Sequence, residues 1–288
     1  MQLAQKISLS PEFSESVVTI GSTFSGTTIC LADYLPSDQP AVMVIIEPGV
    51  DVVFTDCGVP PVNIKFYCQQ GARVIYLLES YSQESSVIGH LEWYLEENSV
   101  VECILMGGIV TGALAMTIDM YLKGMRARAS CYVLATVADA AQCTIKTRQI
   151  HTGEHTTSTV RAHSLVGAAS FDYRGAIDID QTSIHAKALQ ANKNILLSKL
   201  GKVVAIPTLQ VRINKVHCIH GAAVGKLEAE HMIYLQTRGI DGFRARALLL
   251  NGFLLEALEG ASEVSVRFVD QNIEKLLASI LLKDCFVE

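Results

Sequence analysis

The segment KVHCIHGAAVGKL, residues 215–227, places a thiol and two imidazoles within four residues: His217, Cys218 and His220. On an extended backbone Cys218 and His220 share a face, about 6 to 7 Å apart, and His217 points to the other side. A soft thiolate and a borderline imidazole suit iron or an iron–sulfur species, yet two donors do not fill such a site. A complete site needs ligands from another segment or another chain. A buried cysteine beside a hydrogen-bonded histidine fits the same spacing, so both readings stay open at this point.

Two other stretches have chemical spacing. HTGEH, residues 151–155, matches the H-x-x-E-H pattern of inverted zinc peptidases, and a zinc-dependent hydrolase using His151, Glu154 and His155 is the rival reading. That pattern needs a helix to bring both imidazoles to one face. The flanking TTST and the internal glycine favour extended chain, on which the two rings stand about 13 Å apart and cannot share a zinc. A solvated strand with a turn is expected there. GSTFSGTT, residues 21–28, has the glycine spacing of a phosphate loop but puts Thr27 where the lysine belongs, so no ATPase is expected. G-x-S-x-G is absent as well.

The elements that must position these residues are mostly strands. AVMVIIEPGVDVVFTDCGVPP reads as two strands broken at Glu47-Pro48-Gly49, and ARVIYLLES as another. SSVIGHLEWYLEENS fits a brief helix or a strand. CILMGGIVTGALAMTI, residues 103–118, is too short to span a bilayer, which takes about 20 residues, and reads as one buried strand. From Arg126 to about Lys226 short alternating runs dominate. Ile177 and Ile179 stand against Asp178 and Asp180, and Leu209, Val211 and Ile213 against Gln210, Arg212 and Asn214. Asn-Gly and Asp-Gly hairpin turns are missing from this stretch, and a solenoid of parallel strands tolerates its Gly, Pro and Asn corners. A two-sheet sandwich fits the pattern too.

After Lys226 the texture turns helical. LEAEHMIYLQTRG stops at Gly239, a left-handed cap, and Asp241 can cap the next helix. Phe243, Ala247, Leu250, Leu254 and Leu258 then line one side. Val269, Ile273, Leu276, Leu277 and Ile280 mark a third helix. The division expected is an N-terminal segment (1–39), a β core (40–226) and a C-terminal helical domain (227–288) that caps the stack.

Composition bounds the function. The 288 residues are 50% hydrophobic and 18% charged, and the net charge is −6, which gives no electrostatic case for nucleic acid or an anionic membrane. Eight cysteines without a CxxC pair read as reduced, mostly core residues, and the N-terminus has no apolar signal region. A cytoplasmic protein is expected.

VHCIHGAAVGKLEAEHMIYLQTRGIDGFRARALLLNGFLLEAL resembles the C-terminal signature of the SufB/SufD family, scaffold proteins of iron–sulfur cluster assembly. The likeness is carried by His220-Gly221-Ala222-Ala223-Val224-Gly225, by Ile233-Tyr234-Leu235 and by Arg238-Gly239-Ile240. ASFDYRGAIDID and KALQANKNILLSKLGKVVAIPTLQVRIN resemble further family segments, and similarity runs from about Arg161 to Leu258. The resemblance implies a right-handed parallel β-helix with a C-terminal helical domain, and a non-enzymatic scaffold. It implies pairing with a SufB-like subunit, or self-association given the short N-terminal segment, and docking of a SufC-like ATPase through Tyr234, Leu235, Arg238, Gly239 and Phe243. It also implies that His220, with Cys218 beside it, faces the subunit interface and meets iron or a nascent cluster in passing, with no stably bound cofactor. Asn192, where SufB-type chains carry a cluster-assembly cysteine, places the chain on the SufD side. A purely structural β-helix without a metal role is the remaining alternative.

Overall fold

The computed structural model describes residues 16–34, 41–58, 62–82 and 87–281, and they form a parallel β-solenoid of about seven turns with three helices. Successive strands alternate between two eight-stranded sheets. The first sheet runs β1 (Ser16–Ile20), β3 (Ala41–Ile46), β5 (Val62–Cys68), β7 (Val87–Leu95), β9 (Ala113–Leu122), β11 (Gln142–His151), β13 (Ser170–Ile179) and β15 (Lys202–Val211). The second runs β2 (Thr27–Cys30), β4 (Asp51–Cys57), β6 (Arg73–Ser82), β8 (Val100–Ile109), β10 (Arg128–Val137), β12 (Thr157–Val166), β14 (Lys187–Leu196) and β16 (His217–Lys226). Every pairing is parallel and in register. Arg128, Thr157, Lys187 and His217 therefore stack in one column.

Each strand turns alternate residues into the lumen, the source of the period-two pattern in the sequence. Phe171, Tyr173, Ile177 and Ile179 of β13 are buried, whereas Asp172, Arg174 and Asp178 face out. Corners repeat geometrically even where the sequence does not. Asn98, Arg126, His155 and His185 all adopt positive φ, between 56° and 62°, and each donates its N–H to a carbonyl of the following turn. This backbone ladder spaces the turns without any fixed corner residue.

The structure corrects some of these expectations and decides others. β1 and β2 pair with β3 and β4, so the stack begins before residue 40. SSVIGHLEWYLEENS contains strand β7, with Leu91, Trp93 and Leu95 buried and His90, Glu92 and Tyr94 on the opposite face. The run 103–118 is two strands, β8 and β9, separated by a turn in which Gly112 takes φ +87°. GSTFSGTT is a short 3₁₀ turn followed by β2, and no helix follows to cradle a phosphate.

The helices are α1 (Ala229–Thr237), α2 (Gly242–Glu256) and α3 (Glu263–Leu281). Gly239 closes α1 at φ +83°, and the Asp241 carboxylate caps α2 by accepting from the Arg244 N–H at 3.0 Å. The helices do not cap the end of the stack. They fold back along the outer face of the second sheet, where Leu250, Leu254, Val269, Ile273, Leu276 and Ile280 pack on Leu77, Ile104, Met106, Tyr132, Leu134 and Leu165. β8 and β10 are therefore apolar on both faces. The anchor is polar: Glu102 accepts from the Ser262 N–H at 3.1 Å and from its hydroxyl at 2.5 Å, at the start of α3. Because the helices lie alongside, the last turn of the solenoid stays uncovered.

Candidate functional site at the open end

β15 and β16 end their sheets, each paired on one side only. Residues that would be core in any other turn are exposed there. Leu209, Val211 and Val224 continue the lumenal columns, with Val224 48% exposed, and on the outer face Val204, Ile206 and Ile219 are bare as well. Pro207, which has no N–H to give a ladder, fits this edge position.

Register fixes the direction of each candidate donor. Buried Ala188 pairs with Cys218 and buried Gln190 with His220, so both donors face the lumen and His217 faces out. Cys218 packs against Ile177, Ile179, Ala186 and Ala188 and is half-buried. His220, one step further along the stripe, is exposed because nothing stacks on the last turn. Burial raises the Cys218 thiol above its usual range, opposed by the backbone N–H of Ala188, so the sulfur keeps its proton at neutral pH until a metal displaces it. The two donors point into the mouth of the tube, not away from its side.

Behind this mouth the lumen is polar. Asn194 accepts from Ser164 at 2.7 Å and donates to Asn192 at 2.6 Å and to the Ala223 carbonyl at 3.1 Å. Asn192 donates to the Ala162 carbonyl at 3.0 Å, and Thr147 bonds Tyr173 at 2.9 Å. Gln190 differs. It is 1% exposed and neither amide atom has a partner. One signal for this column is legible in the sequence: Gln190, Asn192 and Asn194 carry amides on the buried parity of β14.

The HTGEH residues do not meet. His151 is wholly buried, with Nδ1 2.7 Å from the Thr156 hydroxyl and Nε2 2.7 Å from that of Ser158. Burial lowers its pKa to about 4. His155 and Glu154 are exposed at the corner, the His155 ring stacked on His185 at 4.9 Å. The expected solvated strand is thus a lumenal one at His151, and this set cannot bind zinc. Among the described residues no group of three or more His, Cys, Asp or Glu side chains is placed to hold a metal ion. Cys218 and His220 fit iron chemistry as half of a donor set and no more.

The helices form a second feature. Tyr234 and Phe243 are more than half exposed, Arg238 lies over the Tyr234 ring at 5.3 Å, and Leu235 is half-buried. Phe243 shares the spacing of Leu250 and Leu254 on α2 but not their burial. The buried positions are instead Ala245, Leu250 and Leu254, which leaves Phe243 facing out. Beside them a groove of 490 Å³ runs between α2 and α3, lined by Gly239, Arg244, Leu248, Asn251, Glu274 and Leu277 among others.

A parallel β-solenoid with a flanking helical subdomain and an open last turn defines the class of fold. Comparison with known proteins is more specific. Residues 37–253 match the family described as SUF system FeS cluster assembly, SufBD core domain. The chain belongs to that family. It is 34% identical over 87 residues to an iron–sulfur cluster assembly SufBD family protein of Synechocystis, a match covering 30% of this chain and 19% of that protein. It is 30% identical over 95 residues to the iron–sulfur cluster assembly protein SufD of Escherichia coli, 33% of this chain and 22% of that protein. The SufD protein of Plasmodium berghei matches at 25% over 213 residues, 70% of this chain and 15% of that one. These matches span about a fifth of each relative's length or less.

Proposed function

We propose that the chain is a SufD-like, non-enzymatic scaffold of iron–sulfur cluster assembly that pairs through its open end with a SufB-like subunit. The observation that carries this reading is the uncapped last turn, where two bare strand edges and an apolar rim surround His220 and Cys218. Exposed parallel edges of this length invite strand pairing, and a partner stacking on them buries the apolar rim. The partner then supplies the missing donors, and the cluster is cargo assembled between two chains. Half a donor set suits release: a site completed only by a second chain comes apart when the chains separate. The seven described cysteines are free, in keeping with a reducing cytoplasm.

Energy for the cycle comes from a separate SufC-like ATPase. The Tyr234, Leu235, Arg238, Gly239 and Phe243 surface and the adjoining groove are its dock in this reading, supported by large aromatics exposed beside a cation. Co-expression with a SufB-like subunit and size-exclusion chromatography test the pairing. Val224→Lys, which puts a charge on the exposed rim, is expected to abolish the heteromer and leave the melting temperature of the lone chain unchanged. Undiminished pairing by Val224→Lys would overturn the proposal.

A further inference from the structure

Among the described residues Gln190 is the buried amide with neither of its polar atoms partnered. Buried amides are ordinarily bonded, and every neighbouring amide in β14 is. Gln190 has an unpartnered acceptor and an unpartnered donor, although it is 1% exposed. Gly175, on the strand that precedes β14, makes room for it: a Cβ there would lie 2.3 Å from Nε2 and 2.6 Å from Oε1 of Gln190. The amide thus occupies a space that only a glycine leaves. On the other side its register partner is His220, one turn away on the same lumenal face, about 4.8 Å between backbones. The His220 ring makes no hydrogen bond to a described residue, although its strand is paired with β14.

A histidine that ligates a metal through one ring nitrogen almost always gives its other N–H to an oxygen acceptor, which fixes the tautomer and the ring orientation. We propose that Gln190 is the positioning residue for His220. Its Oε1 accepts the second imidazole N–H when a side-chain rotation closes the gap across one turn, and this presents the remaining nitrogen to the mouth. Gly175 belongs to the same device, since it keeps the amide in the lumen. The iron part of this inference rests on the proposed function. The ring-orienting part does not.

The test uses the full chain labelled with ¹⁵N at histidine, before and after anaerobic addition of ferrous iron alone. In the wild type the His220 ring nitrogens are expected to report one dominant tautomer. Gln190→Met keeps the length and loses the acceptor, and is expected to give a tautomer mixture and about tenfold weaker ferrous-iron binding. Gln190→Glu restores an acceptor and is expected to restore the single tautomer. Gly175→Ala fills the space in which the amide turns without touching residue 190, and should behave as Gln190→Met does. It also guards against a Gln190→Met chain that fails to fold. A tautomer distribution unchanged in both Gln190→Met and Gly175→Ala overturns the inference. If the wild type shows one tautomer that Gln190→Met scrambles, yet ferrous iron shifts no His220 signal, the positioning role stands and the iron-handling function falls.

Discussion

His151 shows how far a residue's environment departs from what its neighbours in sequence suggest. Both ring nitrogens meet hydroxyls inside the lumen, and burial lowers its pKa from 6.5 to about 4. Between those values the unfolded chain takes up a proton that the folded one refuses. Stability is therefore full above pH 6.5, falls as pH drops towards 4, and levels off below. At pH 5 the loss is about 2 kcal/mol relative to pH 7. Denaturant midpoints at pH 7 and pH 5 should differ less for His151→Gln than for the wild type. Equal slopes would contradict this account. His163, also buried and lowered in pKa, leaves a residual slope of the same sign. The shared face of Cys218 and His220 was legible in their spacing alone, because strand parity is local. That the face is lumenal was not, since it depends on the register of β14 against β16.

Elements were legible where one face is buried and the other wet. Val269, Ile273, Leu276, Leu277 and Ile280 are all buried in α3, as the helical period requires when a helix lies on a flat sheet. Phe243 lies on the stripe of Leu250 and Leu254 yet is exposed, because α2 reaches the sheet through those later residues. The continuous apolar run at 103–118 hid a turn because β8 is covered on both faces and offers no polar alternation to mark its end. The link between sheet and helices is testable. Glu102→Ala removes the acceptor of the Ser262 N–H and hydroxyl and should cost about 1–2 kcal/mol by chemical denaturation. No change would mean that apolar packing alone docks α3. At a corner, Gly124→Ala would set a Cβ 2.0 Å from the backbone nitrogen of Glu97, where no flexible side chain can yield. A loss of about 3 kcal/mol or more is expected, read from the melting temperature. A melting point within a degree of the wild type would refute it.

At the scale of the molecule, the path of the helices decides which surfaces stay open. Had they capped the stack, as the sequence suggested, the last turn would be sealed and His220 would be one more lumenal side chain. Lying along the second sheet, they leave the mouth open at one place and present Tyr234 and Phe243 at another. Two exposed surfaces follow from one packing choice. Alanine at Tyr234 and Phe243 together is expected to weaken capture of a SufC-like ATPase at least tenfold without altering pairing at the mouth. Immobilised-ligand binding measures it, and unaltered capture would remove the helices from the docking surface. Anaerobic reconstitution of the paired assembly with ferrous iron and sulfide, followed by visible absorbance, tests the central claim most directly. The wild type should develop the absorption of an iron–sulfur species that His220→Ala in the same assembly lacks. Equal absorbance in the two would show that the open end is an interface and not a site.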